Sequence, residues 1–113
     1  MMIRSVSADA ILIGEQSFTQ TIALTPDGLV EGFAPLPVAD LVESHFELLF
    51  ATQPELVVLG TGSRNIFAPR ELTFAFARRR VGLEVMNTPA AARTFNILAG
   101  EGRQVAAVLY LAD

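Results

Sequence analysis

The chain contains no cysteine and no lysine. The first absence excludes disulfides, thiol catalysis and thiolate metal sites. The second excludes Schiff-base chemistry and a Walker-type phosphate lysine. All eight basic residues are arginine, a bias that codon usage explains more simply than function does. Histidine occurs once, as His45, so no second imidazole supports a metal site. Charge is sparse, at 18% of residues, and the net charge of −4 argues against nonspecific nucleic-acid binding. No apolar run approaches the roughly 20 residues of a membrane span, and residues 1–6 lack the apolar core and cleavage site of a signal peptide. A cytoplasmic, soluble protein is expected. With 113 residues, 51% of them apolar, there is material for one domain with a genuine core.

What is present is organised around Glu55-Leu56-Val57-Val58-Leu59-Gly60-Thr61-Gly62. An apolar run between a charge and a Gly-Thr-Gly predicts a strand buried on both faces, in the middle of an open sheet. Residues 38–51 carry Leu41, Val42, His45, Leu48 and Leu49 at helical spacing, which predicts a long helix before that strand. Pro69 marks the start of a second helix over 70–80, with Leu72, Ala75 and Phe76 inward and Arg78, Arg79 and Arg80 at its end. Residues 83–86 read as another parallel strand. Thr88 and Pro89 read as the cap and first position of a third helix, lined by Ala91, Phe95 and Leu98 and stopped at Gly100. Residues 104–111 are the last strand. Helix and strand alternate from residue 38, so right-handed crossovers give three parallel strands with helices packed on the sheet. Upstream, residues 1–9 read as a lead-in. Residues 10–14 and 17–24 suggest a β-hairpin, and Thr25-Pro26-Asp27-Gly28 is a turn, followed by a brief strand at 29–31. The expected fold is a single α/β domain over 1–113 with its core at 10–111: a mixed central sheet plus an N-terminal β-hairpin.

Sites are placed by this topology. Open α/β sheets bind ligands beyond the carboxyl ends of their strands. Gly60, Thr61 and Gly62 lie there, and Asn87 and Thr88 should share the same crevice. The Gly-Thr-Gly is not a dinucleotide fingerprint, because residue 65 is Asn and no helix follows directly. Its glycines either let a ligand or partner approach the backbone or only allow a sharp turn. The amides after Thr88 could hold an anion, or the residue could simply cap its helix. His45 is a candidate base, or a core-edge imidazole with one hydrogen bond. The three consecutive arginines are a candidate anion patch, or a solvated helix end favourable to the macrodipole. Glu101-Gly102-Arg103 should face the other end of the sheet in a turn or ion pair. No nucleophilic triad, carboxylate pair or metal motif is visible, so no catalytic residue, metal or cofactor is expected.

Taken together, Pro54-Glu55-Leu56-Val57-Val58-Leu59-Gly60-Thr61-Gly62, Glu84-Val85-Met86-Asn87-Thr88, Ala91-Ala92-Arg93-Thr94-Phe95-Asn96-Ile97-Leu98 and Glu101-Gly102-Arg103-Gln104-Val105-Ala106-Ala107 resemble the family of mitochondrial complex I assembly factor 3 and its small prokaryotic relatives. The match in order and spacing runs over roughly residues 10–111. The resemblance implies a mixed-sheet α/β domain with an extra hairpin, no established reaction, and action through protein partners. Asn87 stands where the family commonly has an acidic residue, and Phe95 where it commonly has Tyr, which weakens any catalytic role at either position. The expected function is a noncatalytic binding or assembly module. The alternative is a small-anion binder or weak enzyme at the crevice of Gly60, Thr61, Gly62, Asn87 and Thr88. High apolarity with few charges also fits a homo-oligomer.

Overall fold

The computed structural model describes residues 2–111. In chain order its strands are β1 (Ile3–Val6), β2 (Ile11–Ile13), β3 (Gln16–Phe18), β4 (Ile22–Thr25), β5 (Gly28–Leu29), β6 (Leu56–Gly60), β7 (Gly82–Met86) and β8 (Val105–Leu109). Its α-helices are α1 (Glu47–Phe50), α2 (Arg70–Arg78) and α3 (Thr88–Gly100). The strands form two sheets. A small antiparallel one has the order β1-β2-β3, and the main one has the order β5-β4-β8-β6-β7. Strands β7, β6 and β8 are parallel and in register, with Val58 opposite both Glu84 and Ala107. Strand β4 is antiparallel to β8 and closes a short hairpin with β5 around the Pro26-Asp27 turn. The expected mixed sheet and parallel α/β units are present. The strand at the centre of the sheet is β8, with β6 beside it and paired on both edges.

Strand β6 shows why the apolar run is unbroken. Val57, Val58 and Leu59 are all fully buried. Val58 faces α3 and the small sheet, packing with Leu24, Ala91, Phe95 and Ala107. Val57 and Leu59 face the opposite side, with Leu41, Phe46, Leu72 and Phe76. Both faces are covered, so no position is left for a polar residue.

The N-terminal third departs from expectation in two ways. Residues 1–9 are not only a lead-in, because they contain β1, which packs against α3. The side chain of Asn96 on α3 accepts from the Ile3 amide at 2.9 Å and donates to its carbonyl at 2.8 Å. It pairs with β1 much as a neighbouring strand would. The run at 17–24 is divided: Phe18 pairs with Ile11 in the small sheet, and after Thr21 the chain crosses to the main sheet as β4. Ile11, Ile13, Ile22 and Leu24 nevertheless share one core. Alternation along a single strand carries no mark of such a change of sheet.

The long helix expected at 38–51 is broken. A 3-10 turn at Val38–Asp40 gives way to extended backbone at Leu41 and Val42, then to a second 3-10 turn at Glu43–Phe46 and the single turn of α1. The residues that anchor the segment are Leu41, Phe46 and Leu49, all fully buried, whereas Val42 and Leu48 are 45% and 47% exposed. Phe46 sits in a ring cluster with Phe33, Phe50 and Phe76, at centroid distances of 5.5, 6.5 and 5.2 Å. Phe46 is fully buried there, at the junction between the second 3-10 turn and α1. His45 fits the plainer of its two readings: Nδ1 accepts one hydrogen bond, from the Val42 amide at 3.0 Å.

Helix ends follow local chemistry. Pro69 precedes the first residue of α2, and Leu72, Ala75 and Phe76 are buried as expected. The end of α2 is a Schellman turn with Arg80 at φ 59°, in which Val81 donates to the Phe76 carbonyl and Arg80 to that of Ala77. Arg79 bonds Glu43 and Glu47 at 2.6 and 2.7 Å and lies over the Phe50 ring, so it joins α2 to the broken segment. Helix α3 ends at Gly100, as expected, and the turn that follows uses Gly102 at φ 77°. Arg103 pairs with Glu55 at the amino end of the sheet, as expected.

Candidate functional site

The two turns expected to meet do meet, through backbone hydrogen bonds. The Thr61 amide donates to the Met86 carbonyl at 2.9 Å, and the Thr88 amide donates to the Gly62 carbonyl at 2.8 Å. Gly60, Thr61, Gly62, Asn87 and Thr88 thus stand together at the carboxyl ends of β6 and β7.

Each of these residues has a structural task. A side chain at Gly60 would put a Cβ 2.9 Å from both the Thr88 Cα and Oγ1 and 3.0 Å from the Ala91 Cβ, so a hydrogen there is what lets α3 approach the sheet. Gly62 takes φ 99°, which turns the chain out of the strand. The Thr61 hydroxyl donates to the Arg64 carbonyl at 2.6 Å, has the Met86 carbonyl at 3.2 Å, and accepts from the Ile66 amide at 3.1 Å. It therefore shapes the loop at 61–69 from inside. The Thr88 hydroxyl accepts from the Gly62 amide at 2.8 Å and donates to the Tyr110 carbonyl at 2.6 Å. One fully buried side chain joins the chain ends leaving all three parallel strands.

The helix cap is Asn87, which corrects the assignment of that role to Thr88. Asn87 keeps extended backbone, and its Oδ1 accepts from the Ala90 amide at 2.8 Å; Thr88 and Pro89 are the first helical residues. Both Asn and Thr are good caps by type, and the packing decides between them, because Thr88 is taken up by Gly62 and Tyr110. The Asn87 carbonyl also accepts from Ala91 at 2.9 Å. The amides of Thr88, Ala90 and Ala91 are all occupied, and Pro89 has none. The helix start therefore presents no free first-turn amide to an anion. An Asp at position 87 would cap in the same way. Phe95 is fully buried in the core.

Beside Thr61 lies an open groove of about 490 Å³, lined by Pro35, Pro37, Val38, Ile66, Tyr110 and Leu111 among others. Of the expected site residues only Thr61 borders it. Sequence reasoning did not single out Tyr110 or Phe67. Tyr110 hydrogen-bonds through its hydroxyl to the Leu36 carbonyl, tying the proline-rich loop to the end of β8. Phe67 is 87% exposed on the loop that Thr61 shapes. The available signal was an aromatic residue in a loop, without periodic apolar neighbours to pack against. Among the described residues no cluster of His, Asp and Glu could hold a metal ion, and no helix is long and apolar enough to cross a membrane.

Burial pushes the Tyr110 phenol up to about 12 from its ordinary 10. The folded chain therefore holds this proton through a range in which the unfolded chain has lost it. The stability contribution is fully present below pH 10 and falls as the pH rises toward 12. Tyr110 is the only tyrosine, so phenolate absorbance reports it alone. An alkaline titration should give a midpoint well above that of the urea-unfolded chain. Tyr110→Phe should lose the accompanying drop in melting temperature between pH 10 and 12. Coincident midpoints in the folded and unfolded chains would show that the phenol is solvated.

Comparison with known proteins places this geometry among relatives. The model of a family described as a protein of unknown function, DUF498/DUF598, matches residues 3–110. NADH dehydrogenase [ubiquinone] 1 alpha subcomplex assembly factor 3 from Homo sapiens is 32% identical over 111 residues, covering 96% of this chain and 60% of the relative. A 13 kDa major membrane protein of Francisella tularensis is 29% identical over 72 residues, covering 64% of this chain and 58% of the relative. The chain thus spans about three-fifths of the length of these curated relatives. The NMR structure of a Xanthomonas campestris protein superposes with a TM-score of 0.87 at 37% identity, covering 97% of this chain and 83% of that one.

Proposed function

The chain belongs to the DUF498/DUF598 family, and on that premise we propose that it is a noncatalytic binding module that acts, like an assembly factor, by holding a protein partner. The observation that carries this reading is the similarity to the human assembly factor over nearly the whole of this chain. The site geometry supports it. The hydroxyls of Thr61 and Thr88 and the first-turn amides of α3 are engaged in internal hydrogen bonds. Gly60, Thr61, Gly62, Asn87 and Thr88 act by fixing the shape of the loop at 61–69, and partners meet that loop and not the residues beneath it. The module works in the cytoplasm.

The test is cross-linking in the source cells with affinity-tagged protein, followed by reconstitution from purified components and by fractionation. The reading expects one protein recovered in near-stoichiometric yield, rebinding at roughly micromolar or tighter Kd, with the tagged chain in the soluble fraction. Failure to reconstitute any partner, or turnover of a small molecule by the purified chain, would overturn it. Recovery in the membrane fraction would overturn the cytoplasmic placement.

A further inference from the structure

We propose that the loop at 63–69 and the groove beside it form a docking surface for an acidic protein segment that carries an apolar side chain. This deepens the binding-module reading and rests on it. Phe67 projects into solvent, and Ile66 beside it, 40% exposed, lines the groove. The groove has room for an inserted apolar side chain, and Pro35, Pro37, Val38, Ile66 and Leu111 make its walls largely apolar. The loop is pre-shaped, because Thr61 holds the Arg64 carbonyl and the Ile66 amide. Little ordering is then left to oppose binding.

Charge selects the occupant. Arg64 and Arg70 bracket the loop, and both are exposed. Among the described residues every ion pair uses Arg78, Arg79 or Arg103, and neither Arg64 nor Arg70 takes part in one. In a chain of net charge −4, two exposed arginines that form no ion pair among the described residues and flank an exposed phenylalanine favour a partner that supplies carboxylates. A second copy is disfavoured on the same ground. A symmetric pair meeting on Phe67 would bring the arginines of one copy against those of the other.

The experiment selects phage-displayed random dodecapeptides on the full immobilised chain and measures the winners by fluorescence anisotropy. Binding is compared for wild type, Phe67→Ser, Arg64→Glu with Arg70→Glu, and the triple variant. All three positions are exposed, and circular dichroism is used to check that each variant folds. The proposal expects enriched peptides that combine aromatic or aliphatic residues with Asp or Glu, and binding weakened at least roughly tenfold by Phe67→Ser and by the charge reversal separately. Peptides of neutral or basic consensus, or acidic peptides that bind the variants unchanged, would overturn it. So would a solution dimer abolished by Phe67→Ser, which would assign the face to a second copy. Binding to phosphatidylglycerol vesicles that is lost in Phe67→Ser, with no peptide enriched, would assign it to a membrane surface. A cellular partner that binds the triple variant as tightly as wild type would overturn this surface and leave the binding-module reading standing. Selection of the expected peptides without any cellular partner would overturn that reading and support the surface.

Discussion

Val58→Asp is expected to abolish folding. Val58 is fully buried between β7 and β8, on the face covered by α3. The buried cluster it belongs to, which includes Leu24, Ala91, Phe95 and Ala107, is wholly apolar and offers no side-chain hydrogen-bond donor. The substitution loses about 2 kcal/mol of apolar burial. It also confines a carboxylate without a partner, at a further cost of several kcal/mol whether the group stays charged or is forced to take up a proton. The total is comparable with the roughly 5–15 kcal/mol that stabilises a typical domain. Thermal melts followed by circular dichroism decide the matter. A soluble Val58→Asp variant with a cooperative transition would mean that β6 is not sealed on this face. Val58→Ala, which leaves only a small cavity, should keep its cooperative melt.

Thr88→Val should cost roughly 3 kcal/mol, well beyond the ~1 kcal/mol of a lost helix cap. The replacement is nearly isosteric, so the effect comes from hydrogen bonding. The Gly62 amide loses its acceptor in a buried bond, and the Tyr110 carbonyl loses its donor in a partly buried one. Each unsatisfied group carries a penalty of about 1–3 kcal/mol. For a domain of this size the melting temperature should fall by roughly 10 °C or more. Thr88→Ser retains the hydroxyl and should lose only about 1 kcal/mol of methyl burial. Asn87→Ala, which removes the actual cap, should likewise cost about 1 kcal/mol. The order Val worse than Ser is the diagnostic result. Equal losses in the two variants would assign Thr88's contribution to packing, and an unchanged Thr88→Val would show the hydroxyl to be dispensable.

Both expectations bear on function through the loop at 61–69. If Thr88 and Thr61 hold this loop from beneath, their removal should weaken partner binding only as far as it loosens the loop. Phe67 and the two flanking arginines should affect binding without affecting the melt. The separation follows from burial: the threonines are enclosed and internally bonded, whereas Phe67, Arg64 and Arg70 stand in solvent.

The sequence by itself determined the parallel half of the fold. The unbroken run at Val57, Val58 and Leu59 required a strand covered on both faces. Pro69 located the start of α2, the apolar spacing of Leu72, Ala75 and Phe76 located its buried side, and the alternation of helix and strand from there required parallel pairing. These features rest on local rules of periodicity, backbone restriction and crossover handedness, which act over a few residues or one connection. The meeting of Gly60, Thr61 and Gly62 with Asn87 and Thr88 followed from the same topology. Only the tertiary structure decided the rest. Residues 38–51 had the spacing of a helix, but the chain is extended at Leu41 and Val42, and its buried anchor Phe46 packs on Phe33 and Phe76, 13 and 30 residues away. The choice of Asn87 over Thr88 as cap depended on the Tyr110 carbonyl, 22 residues further along the chain. The strand at Ile3–Val6 became part of the fold because Asn96, 93 residues away, supplies its hydrogen bonds. In each case the deciding partner is distant in sequence, and a local pattern holds no information about which distant group the folded chain will bring beside it.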